Sequence, residues 1–284
     1  MKPFFPPPPS EWRVLVEPYV RAINLPALAA HFHVLLGSAL FYQTIFLLSP
    51  FISKIFAARS YGKLKTRGKI NWNIHVVSQV QCIIICIFAA ITLIYDDDLK
   101  KDKLTAYSPF GADVYAMACG YFLWDSYVSI RYINLFGPGF AVHGLASLFV
   151  FLFSFRPFAM YYGPAFLFFE LSTPFLNIHY FLDKCDMTGS FAQMINGVML
   201  MTTFFSVRIV WGWYAAYQYF ADIFSRMDVV PGWLAYTYLA ANASLNFLNV
   251  YWFSKMIDAL RRRSKGEKKA PVQEAGNVEG HKME

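Results

Sequence analysis

Charged residues are scarce in this chain, and they are grouped rather than spread evenly. Only 15% of the 284 residues are Asp, Glu, Lys or Arg, whereas 57% are hydrophobic and 19% are aromatic. Long uncharged segments separate the charged clusters, which is typical of a protein that crosses a membrane several times. The net charge of +7 is accounted for by the loops between these segments, so it does not indicate a nucleic-acid partner.

Cysteine is also rare. The four cysteines, Cys82, Cys86, Cys119 and Cys185, form neither a CxxC pair nor a cluster with histidines. We therefore predict no metal site, no disulfide framework and no bound cofactor, and we expect these residues to pack as small apolar side chains. The first residues also lack the apolar core of a signal peptide, because prolines 6–9 and scattered charges occupy that position. The first spanning helix is therefore expected to direct insertion.

The sequence predicts an all-α membrane protein with seven transmembrane helices, because seven segments exceed the roughly 20 residues that a span requires. The predicted spans are Ala22–Ser53, Ile70–Tyr95, Leu104–Ile130, Tyr132–Phe155, Pro157–Leu182, Met187–Ala221 and Val229–Ser254. An odd number of spans places the basic loop 54–69 and the basic C-terminal tail on the same side. Since Lys and Arg concentrate in cytoplasmic loops, we predict a lumenal N-terminus and a cytoplasmic C-terminus.

This pattern divides the chain into four parts. Residues 1–27 form an N-terminal interfacial segment, whose stripe of apolar residues suits a helix lying along the membrane; a plain linker is the alternative. Residues 28–53 form the first transmembrane helix, and residues 69–260 form the six-helix domain. The basic tail 261–284 is predicted to be disordered and solvated in the cytoplasm; contact with anionic lipid head groups is the alternative.

Glu170 is the first indication of function, because it lies near the middle of an otherwise uncharged predicted span. A carboxylate at the centre of a bilayer costs about 2.5 kcal/mol or more, so it needs a partner or a water-filled cavity. Arg208 is predicted to lie at a similar depth. Two interpretations remain open: a structural ion pair that locks two helices, or a catalytic or ligand-binding role.

Several other spans also carry polar residues at helical spacing, which marks the face that is turned away from lipid. The pattern predicts that the second to seventh helices form a barrel around a polar cavity, open to the cytoplasm, with Glu170 at its floor. The candidate cavity residues are His75, Gln79, Asp125, His143, Ser147, Glu170, Thr173, Asn177, Arg208, Asn242, Asn246 and Asn249. Pro174 is expected to bend its helix beside Glu170. The alternative is that the histidines are hydrogen-bonded core residues and that the asparagines hold helices together.

From Lys69 to Leu260 the chain resembles the TLC-domain family of membrane proteins, which includes the ceramide synthases. The stretches that carry the resemblance are WNIHVVS at 72–78, Trp124-Asp125, the helix containing His143, ELSTPFLN at 170–177, Asn196-Gly197 with Phe204-Phe205 and Arg208, and NVYWF at 249–253. The resemblance covers most of the molecule and implies that residues 69–260 form a TLC domain.

The resemblance also implies a comparison with the acyl-transfer site of ceramide synthases, which is built around two adjacent histidines and a spaced acidic motif. His143 matches the first histidine, but Gly144 stands in place of the second. Glu170 matches the first acid and Ser172 the serine that follows it, whereas Thr173 and Asn177 replace the other acids. This set resembles the non-synthase branch, whose members are linked to membrane lipid composition.

These observations lead to three functional predictions. The first is a protein of the endoplasmic reticulum or a related membrane that binds a membrane lipid or fatty-acyl ligand and contributes to lipid homeostasis. The second is an acyltransferase with acyl-CoA as co-substrate, in which His143 is the base or acyl carrier and Glu170 or Asp125 orients it. In this second prediction, the basic loop 54–69 attracts the phosphates of coenzyme A. A channel or transporter ranks last, because the sequence contains no inverted repeat. Nothing indicates a homo-oligomer.

Overall fold

The computed structural model describes residues 1–264, and all of the secondary structure in this part of the chain is helical. The α-helices are α1 Ser10–Ala22, α2 Phe32–Phe56, α3 Ala58–Gly62, α4 Thr66–Tyr95, α5 Asp97–Lys100, α6 Pro109–Arg131, α7 Ile133–Phe136, α8 Pro138–Phe153, α9 Gly163–Leu167, α10 Thr173–Lys184, α11 Phe191–Phe204, α12 Trp211–Ser225 and α13 Gly232–Ser264. Helix α13 continues into the predicted tail, whose residues 265–284 lie outside the described part.

Three helices of the described chain are long and apolar enough to cross a membrane. They are Phe32–Phe56, Thr66–Tyr95 and the continuous Phe191–Ser225, which joins α11 to α12. The other predicted spans are not both long enough and apolar enough to meet these criteria of length and hydropathy. Helix α8 has only 16 residues, and α13 carries an asparagine stripe that lowers its hydropathy. The chain is therefore a helical membrane protein, and seven crossings stay a prediction.

Helix α6 lies at the centre of the packing. It contacts α2 on one side and α8 on another, and α4 packs against both α2 and α6. Helix α4 also contacts α9 and α10, α10 contacts α11, and α13 contacts both α12 and α8. Seventeen residues of α6 are buried, among them Gly120, where a Cβ atom would lie 2.4 Å from the backbone oxygen of Leu35. The absence of a side chain at Gly120 lets α2 and α6 approach closely.

Side-chain hydrogen bonds connect α2, α4 and α6, a region that we call the packed interface. Tyr42 donates to Gln81, Ser49 donates to Asn73 at 3.0 Å, and Trp72 donates to Ser53 at 2.8 Å. Trp124 Nε1 donates to Gln43 at 3.0 Å. Gln81 Nε2 is an exception, because it has no partner among the described residues. The polar groups of this interface therefore hold neighbouring helices together.

The loops gather at two ends of the helical bundle. At one end, the Ala27 N–H donates to the Phe155 carbonyl oxygen at 3.1 Å, and the Ala159 N–H donates to the Leu104 carbonyl oxygen at 2.7 Å. At the opposite end, Lys63 Nζ lies 2.6 Å from Asp186 Oδ2, and Arg67 donates to a backbone oxygen of the segment after α6. Consecutive long helices therefore run in alternating directions.

Candidate functional site: a polar cavity inside the bundle

A narrow cavity lies between α6, α8, α9, α12 and α13. Its empty volume is about 810 Å³, including the part that opens to solvent. The walls combine aromatic and aliphatic side chains with a small set of polar groups. The lining residues that the sequence predicted are His143, Ser147, Glu170, Arg208, Asn242 and Asn249. The cavity thus brings six of the predicted residues, from four different helical segments, to one place.

Glu170 lies in a short 3₁₀ stretch, Phe168–Ser172, between α9 and α10. Proline explains this local geometry, because Pro174 has no N–H to donate to the carbonyl oxygen of Glu170, four residues earlier. The Thr173 N–H donates to that oxygen instead, which tightens the turn. The bend expected at Pro174 therefore takes the form of a 3₁₀ turn that holds the Glu170 side chain, 11% exposed, at the cavity wall.

Arg208 lies in a π-helical stretch, Phe205–Val210, which interrupts the long helix made by α11 and α12. Such wide turns occur often at functional sites.

The Arg208 guanidinium lies 3.5 Å from Glu170 Oε1. It also donates hydrogen bonds to four neutral oxygens, which are the Phe169 carbonyl at 3.0 Å, Ser172 Oγ at 3.0 Å, Thr173 Oγ1 at 3.3 Å and Asn249 Oδ1 at 3.3 Å. The ion pair and the cavity are therefore one site.

His143 lies on α8 between two aromatic rings. Its ring centroid is 6.3 Å from that of Phe122 and 5.6 Å from that of Trp252. Its Nδ1 atom is buried and has no hydrogen-bond partner among residues 1–264. Neither Asp125 nor Glu170 is therefore placed to orient this ring nitrogen, although catalytic hydrogen bonds can tighten when a substrate binds.

Gly144 marks a close approach of α8 to α6. A Cβ atom at this position would lie 2.8 Å from Asp125 Oδ2 and 3.0 Å from Ser126 Oγ. This packing leaves no room for a second histidine next to His143. Asp125 therefore contacts the back of α8, and it is not among the residues that line the cavity.

The remaining predicted residues lie outside the cavity wall. His75 Nδ1 is 2.7 Å from Asn177 Oδ1, and the His75 ring stacks on Tyr180 with centroids 3.9 Å apart. Gln79 is partly buried on α4, with no partner for its Oε1 atom in the described chain. Thr173 accepts from Arg208 behind the wall, and Asn246 donates to Asn242 at 2.7 Å.

The direction of the cavity also differs from the expectation. The cavity does not extend to His75 and Asn177, whose side chains form a hydrogen bond between α4 and α10. It runs instead from His143 and Asn249 towards the loop that contains Ala159. By the predicted topology this end faces away from the cytoplasm, and the cytoplasmic opening of the cavity stays a prediction.

The sequence reasoning missed most of this far end. Four tyrosines line it, Tyr115, Tyr162, Tyr219 and Tyr238, and none of them is among the cavity residues predicted from the sequence, although Tyr238 lies four residues before Asn242 on the same helix. Tyr115 donates to the Met160 carbonyl at 2.7 Å. A Cβ atom at Gly163 would lie only 1.7 Å from the Tyr115 hydroxyl oxygen. The sequence signal for this end of the cavity is the glycine at the start of α9. The Tyr115 side chain packs against the backbone at that position, which therefore needs a residue without a side chain.

The fold and this site define a helical membrane protein with an internal cavity that is polar at one end and aromatic at the other. Residues 71–258 match the family model described as "TLC domain", so the chain belongs to the TLC-domain family. It is 51% identical over 259 residues to an uncharacterized TLC domain-containing protein of Schizosaccharomyces pombe, covering 91% of this chain and 89% of the relative.

Two further relatives are more distant. Topoisomerase I damage affected protein 4 of Saccharomyces cerevisiae is 33% identical over 243 residues, which cover 83% of this chain and 86% of that protein. TLC domain-containing protein 4 of Homo sapiens is 29% identical over 228 residues, which cover 76% of this chain and 84% of that protein. The similarity therefore extends over most of each chain.

Proposed function

We propose that this protein binds a lipid or fatty-acyl chain in the cavity and thereby contributes to membrane lipid homeostasis, in the endoplasmic reticulum or a related membrane. The observation that carries the proposal is the shared cavity of His143, Glu170 and Arg208, which combines these polar groups with an apolar wall. A largely apolar cleft with a few convergent polar groups suits an amphiphilic ligand. The contacts among α4, α6, α8, α10, α11, α12 and α13 support a helical barrel around it.

The direct experiment identifies lipid that copurifies with the full chain. Ser147 lines the cavity and is buried, so Ser147→Trp would fill the space and Ser147→Ala would leave it open. We expect the wild type and Ser147→Ala to carry lipid detectable by mass spectrometry, and Ser147→Trp to carry little. Size-exclusion chromatography and thermal unfolding check that the tryptophan variant is folded.

Two results would contradict the proposal. One is wild-type protein purified without bound lipid from a detergent that preserves its fold. The other is an equal amount of lipid on folded Ser147→Trp protein. In cells, deletion of the protein is expected to change the lipid composition of the membrane that contains it, and an unchanged lipidome would argue against a homeostatic role.

A second candidate function is acyl transfer from acyl-CoA, favoured by the position of His143 in the same cavity as Glu170. His143 would take a proton from an acceptor hydroxyl or amine, whose oxygen or nitrogen attacks the thioester carbonyl. The bond from that carbon to sulfur would break, and the thiolate of coenzyme A would leave and be protonated. A folded His143→Ala protein with full acyl transfer would exclude this mechanism.

The proposed topology has seven crossings, a lumenal N-terminus and a cytoplasmic C-terminus. The separation of the loops into two ends supports it, since the contact of Lys63 with Asp186 joins two loops that are both predicted to be cytoplasmic. Glycosylation acceptor sequences inserted near residue 103 and near residue 186 test it. Modification at the first site alone is expected, and modification at the second would contradict the assignment.

A further inference from the structure

The charges in the cavity balance each other. Glu170 and Arg208 are the two charged residues among the described side chains that line it, and they lie 3.5 Å apart. The positive charge of Arg208 is further shared among neutral oxygens, of which Ser172 Oγ and the Phe169 carbonyl are the nearest. A lipid with a carboxylate or phosphate would therefore find no unshared positive charge here, and it would be repelled by Glu170.

Asn249 adds a side-chain amide, which can donate and accept hydrogen bonds, to the end of the cavity that contains Arg208. The residue is 2% exposed, and its Oδ1 accepts from Arg208 at 3.3 Å. Because a guanidinium only donates hydrogen bonds, the amide oxygen must face Arg208, and the Nδ2 donors must point elsewhere. Nδ2 has no partner in the described part of the chain. A buried donor without a partner is costly, so an acceptor oxygen supplied by a ligand would satisfy it.

Two other residues of the cavity, Glu170 and His143, carry polar atoms that can accept or exchange a hydrogen bond with a ligand. The Glu170 carboxylate and the unpartnered Nδ1 of His143 belong to the same cavity. A hydroxyl group both donates and accepts, so it suits a cavity that offers the Asn249 Nδ2 donor, the Glu170 acceptor and a histidine nitrogen whose role depends on its tautomer. An ester or amide carbonyl can satisfy the Asn249 donor alone.

Apolar side chains form the path away from this end. The wall towards the tyrosines contains Val150, Phe151, Phe166, Leu167 and Leu245. His143 and Val150 are seven residues apart on α8, which corresponds to about 10 Å along the helix axis. The narrow space beside α8 suits one alkyl chain extended along it, and at the far end the Tyr219 hydroxyl lacks a partner in the described chain.

We propose that the cavity selects an uncharged single-chain lipid whose hydroxyl or carbonyl oxygen accepts a hydrogen bond from Asn249 Nδ2. This inference rests on the proposed lipid-binding function and adds the chemical class of the head group. The alkyl chain extends beside α8 towards Tyr219. Free fatty acids and phosphate-bearing lipids are excluded from the site by the balanced charge of Glu170 and Arg208.

The test compares three probes that share one oleoyl chain and differ in the head group: monooleoylglycerol, oleate and oleoyl lysophosphatidate. Affinity for the purified full chain is measured at neutral pH by native mass spectrometry and by the shift in unfolding temperature. We expect monooleoylglycerol to bind about tenfold more tightly than either anion, because the uncharged head group is not repelled by Glu170. A single well-placed neutral hydrogen bond accounts for up to about tenfold in affinity.

A variant then tests the contribution of the Asn249 hydrogen bond. Asn249→Leu keeps a similar size but removes the donor, so affinity for monooleoylglycerol should fall about tenfold while its advantage over oleate shrinks. Ser244→Leu is the matched control, because Ser244 is an exposed residue on the same helix outside the cavity wall. Its selectivity should equal that of the wild type.

The outcomes separate this inference from the proposed function. Oleate or lysophosphatidate that binds the wild type as tightly as monooleoylglycerol would overturn the head-group selection and leave lipid binding intact. Failure of all three probes to bind would overturn both. Because the wild-type comparison needs no substitution, an unstable Asn249→Leu protein leaves the main result decisive.

Discussion

The packed interface and the cavity contain similar polar residues, but these residues have different hydrogen-bonding environments. At the packed interface the polar groups, Gln81 Nε2 excepted, meet complementary groups on the next helix, as Ser49 does with Asn73 and Trp72 does with Ser53. In the cavity, Asn249 Nδ2, His143 Nδ1 and the Tyr219 hydroxyl have no partner in the described chain. The first arrangement contributes to the cohesion of the bundle. The second leaves hydrogen-bonding capacity for a ligand.

The backbone shows the same contrast. Helices α4 and α6 run without interruption through the packed interface, for 30 and 23 residues. At the cavity, Glu170 lies in a 3₁₀ turn and Arg208 in a π-helical turn. Departures from α-helical geometry inside a helix are often associated with function. Polar residues at membrane depth are therefore better candidates for a binding site where the helix that carries them is irregular.

The largest expected effect comes from breaking the ion pair of the cavity. Arg208→Met would leave the Glu170 carboxylate, whose side chain is 11% exposed, without its charged partner. Removing one member of a buried pair costs about 3–5 kcal/mol. We expect a loss of this size in the free energy of unfolding, measured by denaturant titration in detergent micelles.

The double variant Arg208→Met, Glu170→Leu is the control for this prediction. Replacing both charges removes the unpaired carboxylate, and such replacements are often close to neutral for stability. The double variant should therefore recover most of the lost stability while it changes the polarity of the cavity. A double variant as unstable as Arg208→Met would show that Arg208 acts through its neutral acceptors, such as Ser172, more than through Glu170.

The next effect belongs to the packed interface. Gly120→Ala places a methyl group 2.4 Å from the Leu35 carbonyl oxygen and 2.5 Å from Ser38 Cβ, so α2 and α6 must move apart. Overpacking of this kind costs about 1–3 kcal/mol. Thermal unfolding measures the loss, and bound lipid is expected to change little, because Gly120 is not part of the cavity wall.

Gly37→Ala provides the matched control, since Gly37 lies in α2 and a Cβ atom there would have no neighbour within 4 Å. Alanine is the better helix former by roughly 1 kcal/mol in an exposed helix interior. We therefore expect Gly37→Ala to be neutral or stabilising. An equal loss of stability in both variants would mean that the close contact of α2 with α6 is not the cause.

Hydrophobic segments and polar stripes predicted much of this fold and of the site. They identified an all-helical membrane protein, and they selected His143, Glu170 and Arg208, which lie in one cavity. Periodicity alone could not separate those residues from His75 and Asn177, which form a hydrogen bond with each other between α4 and α10. A stripe shows that a face avoids lipid, but the same pattern arises from a paired interface and from a cavity wall.

The missed features depend on packing between distant parts of the chain. Tyr115 and Tyr219 are ordinary aromatic residues of apolar helices in the sequence, and they become cavity residues only because α6 and α12 converge near Gly163. The clash that a side chain at Gly144 would have with Asp125 is also a property of two packed helices. No local pattern encodes either fact.

A smaller effect would sharpen the contrast between the two regions. Ser53→Ala removes the acceptor of the Trp72 indole N–H at the packed interface. Hydrogen bonds between helices in membranes contribute about 0.6 kcal/mol on average, so we expect a loss of about that size in stability and no change in copurified lipid. Asn249→Leu should show the reverse pattern, with a larger effect on lipid than on stability. Equal lipid loss in both variants would mean that the packed interface and the cavity do not differ in their contribution to lipid binding.

The smallest expected effect comes from the ion pair between Lys63 and Asp186, which are 50% and 67% exposed and therefore well screened by solvent. The hydrogen bond and positive charge of Lys63 lower the pKa of Asp186. A carboxyl with a lowered pKa in the folded state contributes stability above its unfolded pKa of about 4, and this contribution is lost as the pH falls through the folded-state value.

The substitution Asp186→Asn tests this contribution, because asparagine tolerates the positive φ of 60° at this position. Its unfolding temperature should lie slightly below that of the wild type at pH 7 in low salt, and the two should converge at a pH below the folded-state pKa of Asp186, where both side chains are uncharged. In the Lys63→Gln background the same substitution should have no effect at either pH, and a difference that persists there would assign the effect to the loop conformation rather than to the ion pair.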